Sequence, residues 1–421
     1  MLLTGQNLIS GAEIPYAALF PILTRFSRPA AQPAHSTAAL KALRNKTNFS
    51  VPIAELICVG ARLMVKITLP IQFLLSRRGE PVKMSPELLI PNSQLPTVHT
   101  GIGDFASQCH ALLIQQKLTW ELLRTNYAGL EHVRVRSLDF DGFELKLQSN
   151  PRRLTSSAAK VDDKSIRERK CFLCPADLPA HQRALPFEDD YLVLCNPFPI
   201  FPEHFTIGHR QHVPQLISGS FSTLLNLSRA MGSRYTVFYN GPRCGASAPD
   251  HLHFQAGTRD WMPLERDYDA VQSRWGRTLL AQDGLNSCGV FGPLQNFVTL
   301  ESKDPDELER GFEAFYRACQ DTLGTTDEPM LNILSSYQFG QWRVILFPRA
   351  KHRPEAFFNE GDERILFSPA SVDLGGVCVL PVERDFENLT ADRLRSLFQE
   401  VCLSEDTFRR LCLGFQAQIS R

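Results

Sequence analysis

The segment Cys244-Gly245-Ala246-Ser247-Ala248-Pro249-Asp250-His251-Leu252-His253-Phe254-Gln255 places two imidazoles and a carboxamide just after a loop of small residues. His251, His253 and Gln255 stand at i, i+2 and i+4, with Leu252 and Phe254 between them. On a β-strand that period sends the three polar side chains to one face and the two apolar ones to the other. The loop Gly245-Ala246-Ser247 allows backbone N–H groups to close on an anion. A histidine beside such a cradle can attack phosphorus and carry the transferred group. A half-buried strand with two histidines would show the same alternation. Gln255 and the Gly-x-Ser loop tip the reading toward chemistry.

A second set of reactive residues is Cys171-Phe172-Leu173-Cys174. Two thiolates at this spacing can clasp one zinc ion, with imidazoles completing a tetrahedron. The rivals are chance and a redox pair; the redox pair needs a strand-then-helix context, and here Pro175 and Pro179 follow instead.

The strand and its loop resemble the active-site signature of the histidine-triad superfamily, and Gln255 in third position resembles its transferase branch. That branch includes galactose-1-phosphate uridylyltransferase, diadenosine-tetraphosphate phosphorylase and the GDP-sugar phosphorylases. Asn196-Pro197-Phe198-Pro199-Ile200-Phe201-Pro202-Glu203-His204 and Tyr239-Asn240-Gly241 resemble the same group. From about Gln148 to Phe386 the pattern is similar to an uncharacterised bacterial family of that clan.

The resemblance implies a nucleotidyltransferase with His253 as nucleophile and a nucleotidyl-histidine intermediate. Gln255 and Ser247 would donate hydrogen bonds to non-bridging oxygens as charge builds. Asn196, Asn240, Gly245 and Ala246 would border the nucleotide, and Lys351 and Arg353 are the favoured cations for phosphate. The preferred reaction is phosphorolysis of a nucleoside-diphosphate sugar or dinucleoside polyphosphate. Hexose-1-phosphate nucleotidyl transfer and a non-catalytic, zinc-stabilised nucleotide-binding module are the alternatives. The implied partners are a nucleotide or nucleotide sugar and inorganic phosphate or a sugar phosphate; a homodimer is compatible. Zinc-containing members use the first His of the His-x-His pair and a His after the second strand. By resemblance the ligands are therefore Cys171, Cys174, His212 and His251, with His204 and His209 as alternatives to His212. A set of four closes the tetrahedron, so the zinc would be structural.

The elements that must position these residues read as α+β: a histidine-triad-like antiparallel sheet with helices, duplicated along the chain. Leucine spacing predicts a helix over Phe105 to Asn126. Alternation around Asp141-Gly142 predicts a hairpin over Val133 to Leu147. Strands are expected at Tyr191 to Asn196, Phe205 to Gly208, Arg234 to Tyr239 and His251 to Ala256, with a helix over Phe221 to Gly232. A second strand–helix–strand–strand run is expected over Asn296 to Phe347. Arg210-Gln211-His212-Val213-Pro214 and Arg349-Ala350-Lys351-His352-Arg353-Pro354 share a basic residue, His and Pro, as a duplication would leave them. The second copy has no His-x-His-x-Gln and is expected to be silent.

Three domains are expected: a poorly ordered extension or mis-set start over 1–83, with Met84 as the true start; a catalytic domain over 84–260; and a degenerate copy over 261–421. In 421 residues, 45 Lys plus Arg balance 45 Asp plus Glu, which argues against a general nucleic-acid or anionic-membrane binder. The 11 cysteines are odd in number and scattered, which points to a reducing cytoplasm. The most apolar stretch, Val51 to Leu75, is broken by Glu55, Arg62 and Lys66, so no membrane span is expected.

Overall fold

The structure is a computed structural model. It describes residues 104–154, 162–282 and 284–420, together with the strand pair β1 (Ala54–Val59) and β2 (Arg62–Ile67). The chain divides into two compact units, Met1–Ser85 and Pro86–Arg421. In the first, β1 and β2 pair antiparallel from Ala54↔Ile67 to Val59↔Arg62. The expected start at Met84 and most of 1–83 lie outside the described residues.

In the second unit, the helix expected over Phe105 to Asn126 is two helices, Phe105–Thr119 and Glu121–Ala128. Between them Trp120 takes an extended backbone and buries its indole. The hairpin follows as expected: β3 (Arg134–Phe140) and β4 (Phe143–Ser149) turn at Asp141 (φ 56°) and Gly142 (φ 89°). Positive φ at both central residues matches the right-handed twist of the strands, and Asp-Gly supplies it at little cost.

The main sheet begins with β5 (Ala184–Phe187), β6 (Tyr191–Cys195) and β7 (His204–His209). The helix Phe221–Met231 follows, then β8 (Tyr235–Asn240) and β9 (His253–Thr258). After the helix Pro263–Trp275 come β10 (Gly276–Gln282), β11 (Leu285–Phe291) and β12 (Asn296–Ser302). The helix Pro305–Leu323 then leads to β13 (Leu331–Gln338) and β14 (Gln341–Pro348). All ten strands form one sheet in the order β10-β11-β12-β14-β13-β8-β9-β7-β6-β5.

That order is a duplication. Each half is three strands, a helix and two strands, and the last two insert in swapped order. The halves join antiparallel at β8 and β13, where Asn240 stands opposite Asn332. The halves differ where chemistry was expected. In the first, twelve residues, 241–252, link β8 to β9. In the second, β13 and β14 close through Phe339 (φ 52°) and Gly340 (φ 78°) alone. A two-residue turn has no backbone to spare for an anion cradle, so the second copy lacks the site by construction.

Alternation along the strands divides the sheet into two faces. Val237 and Phe254 are buried on the first face, where the helix Phe221–Met231 packs on β8 and β13 and the helix Pro305–Leu323 on β11 and β12. Phe238 of β8 and Phe201 of the β6–β7 loop join a core with Phe140, Leu145, Leu147 and the strand β15 (Val377–Leu380). β15 pairs parallel with β4 in a three-stranded layer that covers this second face. Among the described residues ten cysteines are buried or partly buried, and none is in a disulfide. Among the described residues no helix is long and apolar enough to cross a membrane.

Candidate active site and metal cluster

His253 and Gln255 lie on the covered face of β9, where Gly208 stands opposite His253 and Thr206 opposite Gln255. His253 is 4% exposed. Its Nδ1 lies 2.8 Å from the carbonyl of His251. A carbonyl only accepts, so Nδ1 carries the proton and Nε2 keeps its lone pair. Burial, only partly offset by that hydrogen bond, lowers its pKa to about 4. At neutral pH it is therefore an uncharged imidazole in one tautomer, as a nucleophile must be.

Gln255 is oriented by a histidine that the sequence offered only as an alternative metal ligand. The backbone N–H of Ile200 donates to His204 Nδ1 at 3.3 Å, so His204 Nε2 carries the proton. That Nε2–H donates to Gln255 Oε1 at 3.0 Å. With Oε1 engaged, the amide nitrogen of Gln255 is left as the donor on this face. Complete burial, the nearby Arg153 charge adding to it, lowers His204 to about 3. It cannot gain a proton near neutral pH and reverse the arrangement. His204→Ala should release Gln255 and cost much of what Gln255→Ala costs, about 10²–10³-fold in kcat, as for loss of one transition-state donor. Equal kcat in His204→Ala and wild type would contradict this coupling.

Arg153 lies beside His204, and its guanidinium donates to the carbonyl of Phe198. Asn196 spends its side chain on the local turn: Oδ1 accepts from Phe198 N–H and Nδ2 donates to Thr206 Oγ1. Asn240 is likewise engaged, its Oδ1 accepting from Asn332 Nδ2 and from the Ser371 N–H. These two asparagines shape the walls.

In the loop 241–252, Gly245 has φ +94°, and a Cβ there would meet Ala370 Cβ at 2.7 Å. Gly245→Ala should therefore cost roughly 1–3 kcal/mol in backbone strain, before the clash is counted. A melting temperature equal to wild type would refute this. Ala246 is buried, and Ser247 beside it is half-buried. Lys351 is exposed and bonded to Glu355 at 2.9 Å. Arg353 donates from Nε to Ser368 Oγ, next to the Pro369-Ala370 segment that packs on Gly245.

His251 is a correction to the sequence reading, because β9 begins at His253. The chain turns at His251, whose N–H donates to the Ala248 carbonyl, and its ring leaves the β9 face. Cys171, Cys174, His212 and His251 converge, their ligand atoms all within 4.8 Å of one another. His251 Nδ1 is 3.3 Å from Cys171 Sγ and 3.6 Å from Cys174 Sγ, and His212 Nδ1 is 3.2 Å from Cys174 Sγ. Ligand–ligand edges of a tetrahedral zinc site with bonds of about 2.0–2.3 Å are about 3.3–3.8 Å. His251 Nε2 donates to the His209 carbonyl at 2.7 Å, which leaves Nδ1 free to ligate. Asp250 Oδ2 lies 3.3 Å from His212 Nε2, and Arg169 steadies the carboxylate. Such outer partners fix ligand tautomers in metal sites. The donor set fits a divalent metal ion.

Three buried imidazoles, His253, His204 and His352, are expected to make stability fall in acid. Burial lowers His204 to about 3, and burial with the charges of Arg353, Arg349 and Arg243 lowers His352 to about 4. Unfolded, each binds a proton near pH 6.5. Between pH 6.5 and 4 the unfolded chain thus holds more protons, and stability falls as pH falls. Melting followed from pH 7 to 4.5 should show this decline; a flat profile would contradict it.

The fold and site together define an α+β protein whose ten-stranded sheet repeats one topology, with a buried neutral histidine on β9 of the first half. Residues 112–258 match the family described as a domain of unknown function, DUF4922. Residues 292–418 match the family described as GDPGP1-like, C-terminal domain. Yeast Ap4A phosphorylase Apa2 in complex with AMP superposes at TM-score 0.48 and 17% identity, over 72% of this chain and 97% of that one. Its complex with Ap4A gives 0.44 and 16%, over 69% and 97%. A DUF4931 family protein of Bacillus cereus gives 0.30 and 15%, over 51% and 99%. No curated protein sequence matches the chain significantly.

Proposed function

We propose that the protein is a nucleotidyltransferase that works through His253, most readily as a phosphorylase of a dinucleoside polyphosphate or nucleoside-diphosphate sugar. The observation that carries this reading is the pairing on β9 of a single-tautomer, uncharged His253 with a Gln255 whose amide is set as a donor. His253 Nε2 attacks the α-phosphorus. An N–P bond forms, the bond from that phosphorus to the bridging oxygen breaks, and the rest of the substrate leaves on that oxygen. Gln255 Nε2 and Ser247 stabilise charge on the non-bridging oxygens. An oxygen of inorganic phosphate then attacks the same phosphorus, the N–P bond breaks, and a nucleoside diphosphate departs. Nδ1 keeps its proton throughout, held by the His251 carbonyl.

Incoming phosphate is assigned to Arg243, His352 and Arg353. Arg243 belongs to the loop 241–252, and His352 Nε2 is buried without a hydrogen-bond partner among the described residues. The Arg349 guanidinium is occupied with Asn332 and the carbonyls of Lys351, His352, Pro369 and Val401, so it braces this corner. Cys171, Cys174, His212 and His251 would hold zinc, which supplies structural clamping of the segment before β9. The test is a panel of α-labelled diadenosine tetraphosphate, GDP-hexose and UDP-hexose. Protein-bound label without phosphate, discharged as nucleoside diphosphate when phosphate is added, supports the reading. No bound label and no phosphate-dependent release from any of the three would overturn it.

A further inference from the structure

Gln215 lies in the irregular segment between β7 and the helix Phe221–Met231, and it is 1% exposed. Its side chain spends all its obvious hydrogen-bonding capacity on two backbones. Nε2 donates to the Asn240 carbonyl at 2.9 Å and to the His253 carbonyl at 3.0 Å. Oε1 accepts from the His253 N–H at 2.7 Å. Both ends of the amide therefore grip the main chain of His253, while one also holds the end of β8.

The register shows what this grip replaces. β8 and β9 pair from Tyr235↔Thr258 to Phe238↔Gln255, and the ladder stops there. Continued by two steps, it would bring Asn240 opposite His253. The Gln215 amide stands between those two residues, so the strands part just where the nucleophile sits. The second half is an internal control. There β13 and β14 pair without interruption from Leu331↔Pro348 to Gln338↔Gln341. An unbroken ladder brings the backbones to about 4.8 Å, which leaves no gap between strands.

We propose that Gln215 is a positioning residue that wedges β8 from β9 and fixes the backbone of His253, so that its ring faces a gap able to admit a phosphate. This rests on His253 being the nucleophile. The wedge is made of hydrogen bonds in place of bulk. An amide can replace the lost ladder bonds, whereas an apolar residue would leave two carbonyls and an N–H buried and unpaired.

The test uses Gln215→Ala and the near-isosteric Gln215→Glu in the full chain, with melting curves to confirm folding. Glutamate keeps the acceptor for His253 N–H but, as a carboxylate, cannot donate to either carbonyl. Single-turnover labelling with the compound chosen by the panel should fall about 10²-fold or more in both, with KM for the nucleotide changed less than threefold. Independently of turnover, nitrogen NMR of labelled histidine should show one His253 tautomer in wild type and a mixture in both variants. Two folded variants with wild-type labelling rates and a single His253 tautomer would overturn the proposal. If none of the three compounds labels the wild type, the functional reading fails, and the tautomer measurement alone decides for or against the wedge.

Discussion

His253→Ala is expected to abolish turnover, with a loss of roughly 10⁴–10⁶-fold, as when the nucleophile of a covalent mechanism is removed. The reason is local. Among the residues described on this face, His253 and His204 are the imidazoles, and His204 has both nitrogens engaged, by Ile200 N–H and by Gln255. Ser247 and Gln255 are too weakly nucleophilic to substitute. The neutral partner of His253 also matters. A carboxylate at Nδ1 would add negative charge where an anionic phosphate must approach, whereas the His251 carbonyl sets the tautomer without it. His253→Gly with added imidazole should recover part of the lost rate, because the cradle and Gln255 stay in place. Activity of His253→Ala within tenfold of wild type would end the covalent mechanism.

The metal cluster gives the second large effect. Purified protein is expected to carry about one zinc per chain, and Cys171→Ser or Cys174→Ser to lose it. Burial and the neighbouring Cys171 push the Cys174 thiol up to about 11, so two thiolates side by side need a cation. The loss should lower the melting temperature sharply, since metal binding at such a site is folding energy. Single-turnover labelling of the protein that remains folded should fall far less than in His253→Ala, because the four ligands close the site to water and substrate. Metal analysis without zinc, on protein prepared free of chelators, would refute the assignment and return Cys171 and Cys174 to the redox reading.

Much of this was legible in the sequence, for identifiable reasons. The period-two pattern of β9 and the Asp-Gly turn of β3–β4 are local, so spacing and turn chemistry suffice to read them. The four residues named by resemblance come together in the structure because Cys-x-x-Cys spacing is a rigid local clasp, while His212 follows β7 and His251 precedes its neighbour β9. The strand boundary at His251 was misjudged, because alternation alone does not show that the chain turns to aim that ring at two cysteines 77 and 80 residues earlier.

What only the tertiary structure decided are the partners that act across long separations. His204 gains its role from a strand 51 residues away, and Gln215 from a strand 38 residues on. Nothing in their own neighbourhoods marks them, since a buried His and a loop Gln are common. Asn196 and Asn240 likewise take partners that spacing does not show: Thr206 and the Phe198 N–H for Asn196, and Asn332 and the Ser371 N–H on Oδ1 of Asn240. The sequence by itself named the side chains on which the proposed chemistry rests, because His253 and Gln255, and Cys171 and Cys174, stand at short spacing. Tertiary structure decided which nitrogen is free and which amide end points outward. Those depend on hydrogen-bond direction and strand register, which exist only once distant segments meet.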